Sequence, residues 1–275
     1  MHTVPSADVA IPALGFGTWQ LEGDVARSLV EAALETGYRH IDTAAAYRNE
    51  KNVGAAIAAS GVARDDIFLT TKIWVDQFAD GDLQAAAAKS VERLGTPVDL
   101  LLLHWPKPNP PLDETLRALN EVRASGLTRA IGLSNFPTVL FDKAVALSEA
   151  PIATNQVEYH PYLAQTAVLA AARKAGASLT AWSPLAQGKV ADDAVIKAIG
   201  ELHGKTPGQV TLRWLVQQDG VIAIPRTSNP KRAVENFDIF DFTLTEGEMA
   251  QIHALASPDG RLGNWLDAAF EWDAA

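Results

Sequence analysis

Along the chain, short continuously apolar runs alternate with longer stretches in which apolar residues recur every three or four positions. The short runs predict strands near Leu14–Trp19, His40–Asp42, Ile67–Ile73, Val98–Leu103, Ala130–Ser134, Thr154–Glu158, Ser178–Trp182 and Val221–Ile224. Unbroken apolarity, as in DLLLLH at 99–104, fits strands covered on both faces. The longer, alanine-rich stretches predict helices near Asp24–Thr36, Glu50–Ser60, Gly81–Leu94, Leu112–Ser125, Pro137–Leu147, Ala164–Ala175 and Ala191–His203. Gly37, Gly61, Gly126 and Gly176 stand at helix-to-strand junctions, where left-handed backbone commonly ends a helix. The alternation predicts an α/β protein, a (β/α)8 TIM barrel with an N-terminal β-hairpin, in one domain over 1–275. Two further helical patterns exceed that plan. Lys205–Asp219 carries Pro207 in its first turn, and Thr245–Ala256 opens with Thr245 and Glu248 at capping-box spacing.

Composition narrows the partners. The 275 residues carry a net charge of −10, only 20% are charged, and there is no cysteine. A nucleic-acid binder needs a basic face, which this balance argues against. Without cysteine there is no disulfide framework, thiolate metal site or cysteine nucleophile. The N-terminal MHTVPSADVAIPALG has no secretory pattern, and no apolar run is long enough to span a bilayer, so a cytoplasmic protein is expected; a monomer is a separate expectation.

A parallel barrel concentrates function at the carboxyl ends of its strands. There the sequence places Asp42 with Tyr47, Lys72 with Trp74, His104-Trp105, Ser134-Asn135, Gln156 with Glu158, Trp182-Ser183 and Pro225-Arg226-Thr227. Any one of these could cap a helix, face solvent or pack locally. Ionisable groups on three consecutive strand ends are harder to explain structurally, because neighbouring strands lie about 5 Å apart. Asp42, Lys72 and His104 are therefore expected in one pocket with Tyr47. An unperturbed tyrosine has a pKa of about 10. An adjacent ammonium held by a carboxylate would lower it. Tyr47 could then protonate a carbonyl oxygen oriented by His104. No side chain donates hydride, so the pattern calls for a redox cofactor.

These residues also sit in recognisable motifs. GYRHIDTAAAYRNEKNVG, from Gly37 to Gly54, resembles the aldo-keto reductase signature. TTKIW around Lys72, LLHWP around His104, GLSNF, NQVEYHP and IPRTSNPKRAVENFDIF from Ile224 to Phe240 are similar to that family's motifs in the same order. The N-terminal motif and TAWSPLAQGK resemble bacterial 2,5-diketo-gluconic acid reductases. The resemblance implies a catalytic tetrad of Asp42, Tyr47, Lys72 and His104, and NADPH bound across the barrel mouth without a Rossmann domain. Gly15-Phe16-Gly17 is only part of a dinucleotide fingerprint, lies on the first strand and is expected to be structural. By resemblance, Ser134, Asn135 and Gln156 hold the nicotinamide carboxamide, and Trp182 stacks on its ring. Ser183, Leu185, Gln187 and Gly188 line the pyrophosphate. Arg226, Thr227 and Arg232 surround the 2′-phosphate, and Glu235 and Asn236 meet the adenine, with Thr18, Trp19 and Pro225 completing the cofactor wall. Arg226 replaces the lysine of many relatives, and Asn229-Pro230 stand where some carry a further arginine, which leaves NADH as a weaker alternative.

Trp19, Trp74 and Trp105, with Tyr47 and His104, are expected to wall an apolar pocket for a small carbonyl compound. The stretch RLGNWLDAAFEWD is expected to fold over it, with Trp265, Phe270 or Trp272 reaching substrate. His40, His160 and Trp214 are expected to be structural. His160 has no second histidine at ligand spacing. Two other readings fit the same residues. One is a cofactor-binding redox-sensing module with little turnover, and the other a metal-dependent barrel hydrolase using Asp42 and His104.

Overall fold

The computed structural model describes residues 2–263 and 271–273. The chain opens with an antiparallel hairpin, β1 (Thr3–Ser6) and β2 (Val9–Pro12), turning at Ala7. Eight parallel strands follow: β3 (Phe16–Gly17), β4 (His40–Asp42), β5 (Phe68–Ile73), β6 (Val98–Leu103), β7 (Thr128–Ser134), β8 (Ile152–Glu158), β9 (Ser178–Trp182) and β10 (Val221–Ala223), paired in chain order. The sheet closes on itself. Leu14 bridges Ala223, Gly15 N donates to Ala223 O at 2.8 Å, and Gly17 N donates to Pro225 O at 3.0 Å. This seam explains Gly15-Phe16-Gly17. A Cβ on Gly15 would stand 2.6 Å from His40 Nδ1, and one on Gly17 would stand 3.0 Å from Ile224 O. The glycines let backbone approach backbone where the barrel closes.

Helices cover the barrel: α1 (Gly23–Thr36), α2 (Glu50–Ala59), α3 (Asp82–Leu94), α4 (Leu112–Ala124), α5 (Thr138–Leu147), α6 (Thr166–Lys174), α7 (Ala194–His203), α8 (Pro207–Val216), α9 (Pro230–Phe237) and α10 (Glu246–His253). The longer ones bury a periodic stripe. In α1 the buried residues are Ala26, Leu29, Val30, Ala33 and Leu34, one face of a 3.6-residue helix. Gly37, at φ 118°, then ends it. All six residues of β6 are buried, as its unbroken leucine run predicts.

Three elements differ from the sequence expectation. The first barrel strand contracts to Phe16–Gly17, because on the seam side only isolated backbone bonds hold it. α7 starts at Ala194, capped by Asp193, whose carboxylate accepts from Val195 N and Ile196 N; residues 186–192 form tight turns instead. α9 was not expected at all. It spans eight residues, opens with the Asn229 cap and Pro230, and docks through Tyr38, whose hydroxyl donates to Ala233 O at 3.0 Å. α9 is the eighth barrel helix. α8, expected as an addition, packs on β10 and α9 and belongs to the barrel layer, so the additions are α7, which packs on α8 and α10, and α10 itself. Trp214 packs on Tyr159 and donates to His253 Nδ1 at 3.2 Å, joining α8 to α10. Among the described residues no helix is long and apolar enough to cross a membrane.

The hairpin covers one end of the barrel. Ala7 N donates to Gly176 O, just before β9, so β1 and β2 lie at the amino ends of the strands. The carboxyl ends stay open, and the polar side chains gather there.

Candidate active site

Asp42 ends β4, Lys72 lies near the end of β5, and His104 directly follows β6. Tyr47 sits in a short turn after β4. The register sets Asp42 beside Thr70 and Lys72 beside Leu102, so three adjacent strands deliver their side chains to one point. Lys72 is fully buried. Its Nζ donates to Asp42 Oδ1 at 2.6 Å, to Thr43 O at 2.8 Å and to the Tyr47 hydroxyl at 3.4 Å. The Tyr47 and His104 rings meet edge to face at 5.7 Å. The second Asp42 oxygen accepts from Gln156 Nε2 at 2.8 Å. Asn49, wholly buried, ties this turn to the loop after β3 through Thr43, Thr18 O and Leu21 O.

The electrostatics follow from burial and charge. Burial pulls the Lys72 ammonium down, but Asp42 and then Tyr47 more than offset it and hold its pKa above the ordinary value. Burial raises Tyr47, and Lys72 opposes that shift without cancelling it. This corrects the expectation of a tyrosine lowered overall: in this pocket Tyr47 stays protonated, with an ammonium ready to stabilise its phenolate. His104 is pushed well below the ordinary histidine value by burial and by Lys72, so it is neutral.

The four groups open on a cavity of about 810 Å³. Tyr47, His104 and Asp42 line it, with Lys72 behind them. Every residue assigned from sequence to the cofactor lies on its wall. One stretch of the wall is Ser134, Asn135, Gln156 and Trp182, joined to Asp42 through Gln156. Ser134 Oγ donates to Gln156 O, Asn135 Nδ2 donates to His104 O, and Trp182 Nε1 donates to Asn135 Oδ1 at 2.9 Å. Ser183, Leu185, Gln187 and Gly188 form the next stretch of wall. Pro225, Arg226, Thr227, Arg232, Glu235 and Asn236 form the stretch beyond the seam. Thr18 and Trp19 lie opposite, where Arg226 donates to Trp19 O at 3.0 Å and Gln20 O at 3.1 Å. Apart from Ala7, every described non-glycine residue with positive φ lies on this wall or beside it: Gln20, Arg48, Asn135, Ser183, Ala186 and Gln187. Backbone strain of this kind clusters at working sites. Amide and hydroxyl groups on one stretch and two guanidinium groups on another fit a nicotinamide dinucleotide.

Sequence reasoning missed several lining residues, among them Gln20, Thr206, Gly208 and Ser228. Thr206 caps α8 in a capping box with Gln209 and donates to Glu235 at 2.8 Å. The KTPGQ pattern could have marked it as a helix start, but not as part of this cavity. Of the tryptophans expected around substrate, Trp19 and Trp105 line the cavity. Trp74 packs edge-on against His104 at 5.1 Å and is not among the described residues that line this cavity. Trp265 and Phe270 lie outside the described residues. Trp272 meets Trp105 edge to face at 6.0 Å. His40 and His160 sit in structural contacts, with Thr70 and Glu158 respectively.

A tyrosine hydroxyl backed by a buried ammonium, at the edge of a cavity lined by amide, hydroxyl and guanidinium groups, is the arrangement of an NAD(P)H-dependent oxidoreductase acting on carbonyl groups. Comparison with known proteins gives the family. The model of the aldo/keto reductase family matches residues 13–257, and the chain belongs to that family. It is 46% identical to an aldo-keto reductase of Mycolicibacterium smegmatis, covering 93% of this chain and 95% of that one. It is 42% identical to the methylglyoxal reductase DkgB of Escherichia coli O157:H7, covering 96% and 100%. A crystal structure provisionally described as a 2,5-diketo-D-gluconic acid reductase B superposes with a TM-score of 0.98 at 52% identity, over 100% and 98% of the two chains. A Bombyx mori aldo-keto reductase in complex with NADP superposes with a TM-score of 0.86 at 33% identity, over 92% of each.

Proposed function

We propose that this protein reduces small aldehydes and ketones, short 2-oxoaldehydes among them, with NADPH as hydride donor and Tyr47 as proton donor. The observation that carries the reading is the fully buried Lys72 ammonium, 2.6 Å from Asp42 and 3.4 Å from the Tyr47 hydroxyl, at the edge of the cavity. The substrate class rests on the methylglyoxal reductase relative and on the aromatic wall formed by Trp19, Tyr47 and Trp105.

The cofactor supplies hydride to the carbonyl carbon. The chain's own residues deal with the oxygen. Tyr47, kept protonated by burial, gives its hydroxyl proton to the oxygen as negative charge builds there. Lys72 stabilises the phenolate left behind, and Asp42 and Thr43 O keep the ammonium in place. Neutral His104 orients the carbonyl. Its Nδ1 is buried with no partner, so a proton on Nε2 avoids a buried unpaired N–H and leaves a donor for the substrate oxygen. Ser134, Asn135 and Gln156 offer polar groups to a carboxamide. The Arg226 and Arg232 guanidinium groups suit a ribose 2′-phosphate, which favours NADPH over NADH.

The test is a panel of aldehydes, ketones and 2-oxoaldehydes assayed with NADPH and NADH in parallel. Turnover with NADPH, abolished in Tyr47→Phe, is the expected result. A Tyr47→Phe protein that keeps near wild-type turnover would overturn the mechanism. Binding of NADPH without turnover of any carbonyl would favour a sensing module.

A further inference from the structure

Glu158, at the end of β8, belongs to no part of the chemistry above, yet its side chain is wholly buried at the cavity end of the barrel. Its two oxygens are fully committed. Oε1 accepts from Leu262 N at 2.8 Å and lies 3.0 Å from His160 Nε2, while Oε2 accepts from Gly263 N at 3.0 Å. The Arg261 guanidinium stands 3.9 Å from the same carboxylate and 3.8 Å from the centre of the Trp272 ring. A single carboxylate therefore fastens residues 261–263, distant in sequence, across the barrel rim. Glu158 is also the register partner of Trp182 on β9. Gly263 presses on that indole so closely that a Cβ there would lie 2.4 Å from Trp182 Cη2. Trp182 is held from its other edge by Asn135, which in turn holds His104 O.

We propose that Glu158 and Gly263 are positioning residues that lock the Trp182 indole against the nicotinamide end of the cavity. The carboxylate pins 261–263, and the bare Gly263 backbone becomes the wall behind the ring. Glycine is needed because any side chain would drive the indole toward the space the cofactor needs. A carboxylate is needed because it accepts two backbone N–H groups at once. An amide at 158 must turn its own N–H₂ toward one of them, leaving a buried donor unpaired. The inference rests on the NADPH reading above.

The test separates the two halves of the cofactor. Dissociation constants are measured for NADPH and for adenosine 2′,5′-bisphosphate, which carries only the adenine half, with wild type, Glu158→Gln and Gly263→Ala. Each variant is expected to weaken NADPH about tenfold and to leave the bisphosphate within twofold, the size of effect that one lost buried hydrogen bond produces. Gly263→Ala is then placed in a Trp182→Phe background, where the smaller ring no longer reaches the added methyl, and there it is expected to cost nothing further. The proposal fails if NADPH binding is unchanged, if both ligands weaken equally, or if the Gly263→Ala effect persists beside Trp182→Phe. Failure of wild type to bind NADPH removes the function reading and this inference together. Wild-type binding matched by both variants removes this inference alone.

Discussion

Replacing Lys72 by methionine tests the centre of the mechanism. The substitution keeps most of the side-chain volume and removes one positive charge from a site with no solvent exposure. At the 3.4 Å separation of Lys72 Nζ from the Tyr47 oxygen, with an effective dielectric of about 20, the attraction to a full phenolate charge is about 5 kcal/mol. Each 1.36 kcal/mol is about a factor of ten in rate, so a partly developed charge still predicts a loss of about a thousandfold in hydride transfer. Lys72→Met also strands the Asp42 carboxylate, 2% exposed, with Gln156 as its one remaining side-chain partner among the described residues. Breaking a buried pair in this way typically costs about 3–5 kcal/mol of stability. The two effects separate in the double variant Asp42→Asn with Lys72→Met. It removes both charges, so most of the stability should return while the rate does not. Single-turnover loss of nicotinamide absorbance measures the rate, and urea unfolding followed by circular dichroism measures stability. A folded Lys72→Met protein retaining more than about a tenth of the wild-type rate would refute the argument, since the ammonium would then not be stabilising the phenolate. So would a double variant that regains activity.

Further outcomes follow from other parts of the molecule. Tyr47→Phe should reduce turnover by about 10²–10⁴-fold while NADPH affinity, read by fluorescence titration, stays unchanged. Arg226→Ala should weaken NADPH by about tenfold or more and NADH hardly at all, because only the former carries the phosphate that a guanidinium grips; parallel titrations give the ratio. His40 is held down to about 4 by burial, so the unfolded chain binds a proton that the native state refuses. Stability from this group is present above the ordinary histidine value and is lost as pH falls. From pH 7 to pH 5 the loss is about 2 kcal/mol in urea unfolding, and His40→Gln should remove that share of the pH dependence. Gly15→Ala should destabilise the barrel seam by about 1–3 kcal/mol, read as a lowered melting temperature, because its methyl would meet His40 at 2.6 Å.

Much of the architecture was legible because it is written in periodicity. The leucine run of β6 reports burial on both faces, and the stripe in α1 with Gly37 after it reports an amphipathic helix and its end. The placement of Asp42, Lys72 and His104 at consecutive strand ends followed once the strands were counted, since a parallel barrel sends equivalent ends to the same rim. α9 was not legible. Its eight residues bury only Ala233 and Asn236, too few for a periodic signal, and its docking depends on Tyr38 almost two hundred positions away. Trp74 shows the limit for side chains. It follows a barrel strand as Trp19 and Trp105 do, but it packs edge-on against His104 rather than lining the cavity of about 810 Å³, and strand position alone does not set that contact.

The sequence by itself thus determined the barrel, the identities of the chemical groups and their shared rim, because those depend on local pattern and on a repeating topology. Tertiary structure decided the charge states. Whether Tyr47 is raised or lowered depends on how burial weighs against one ammonium at 3.4 Å, a balance of distances that no spacing encodes. It also decided what Glu158 does: a glutamate at a strand end reads as one more rim residue until residues 262 and 263 are brought from more than a hundred positions away to its two oxygens. Burial and long-range contact are properties of the folded whole, and they set the chemistry of groups that the sequence could only name.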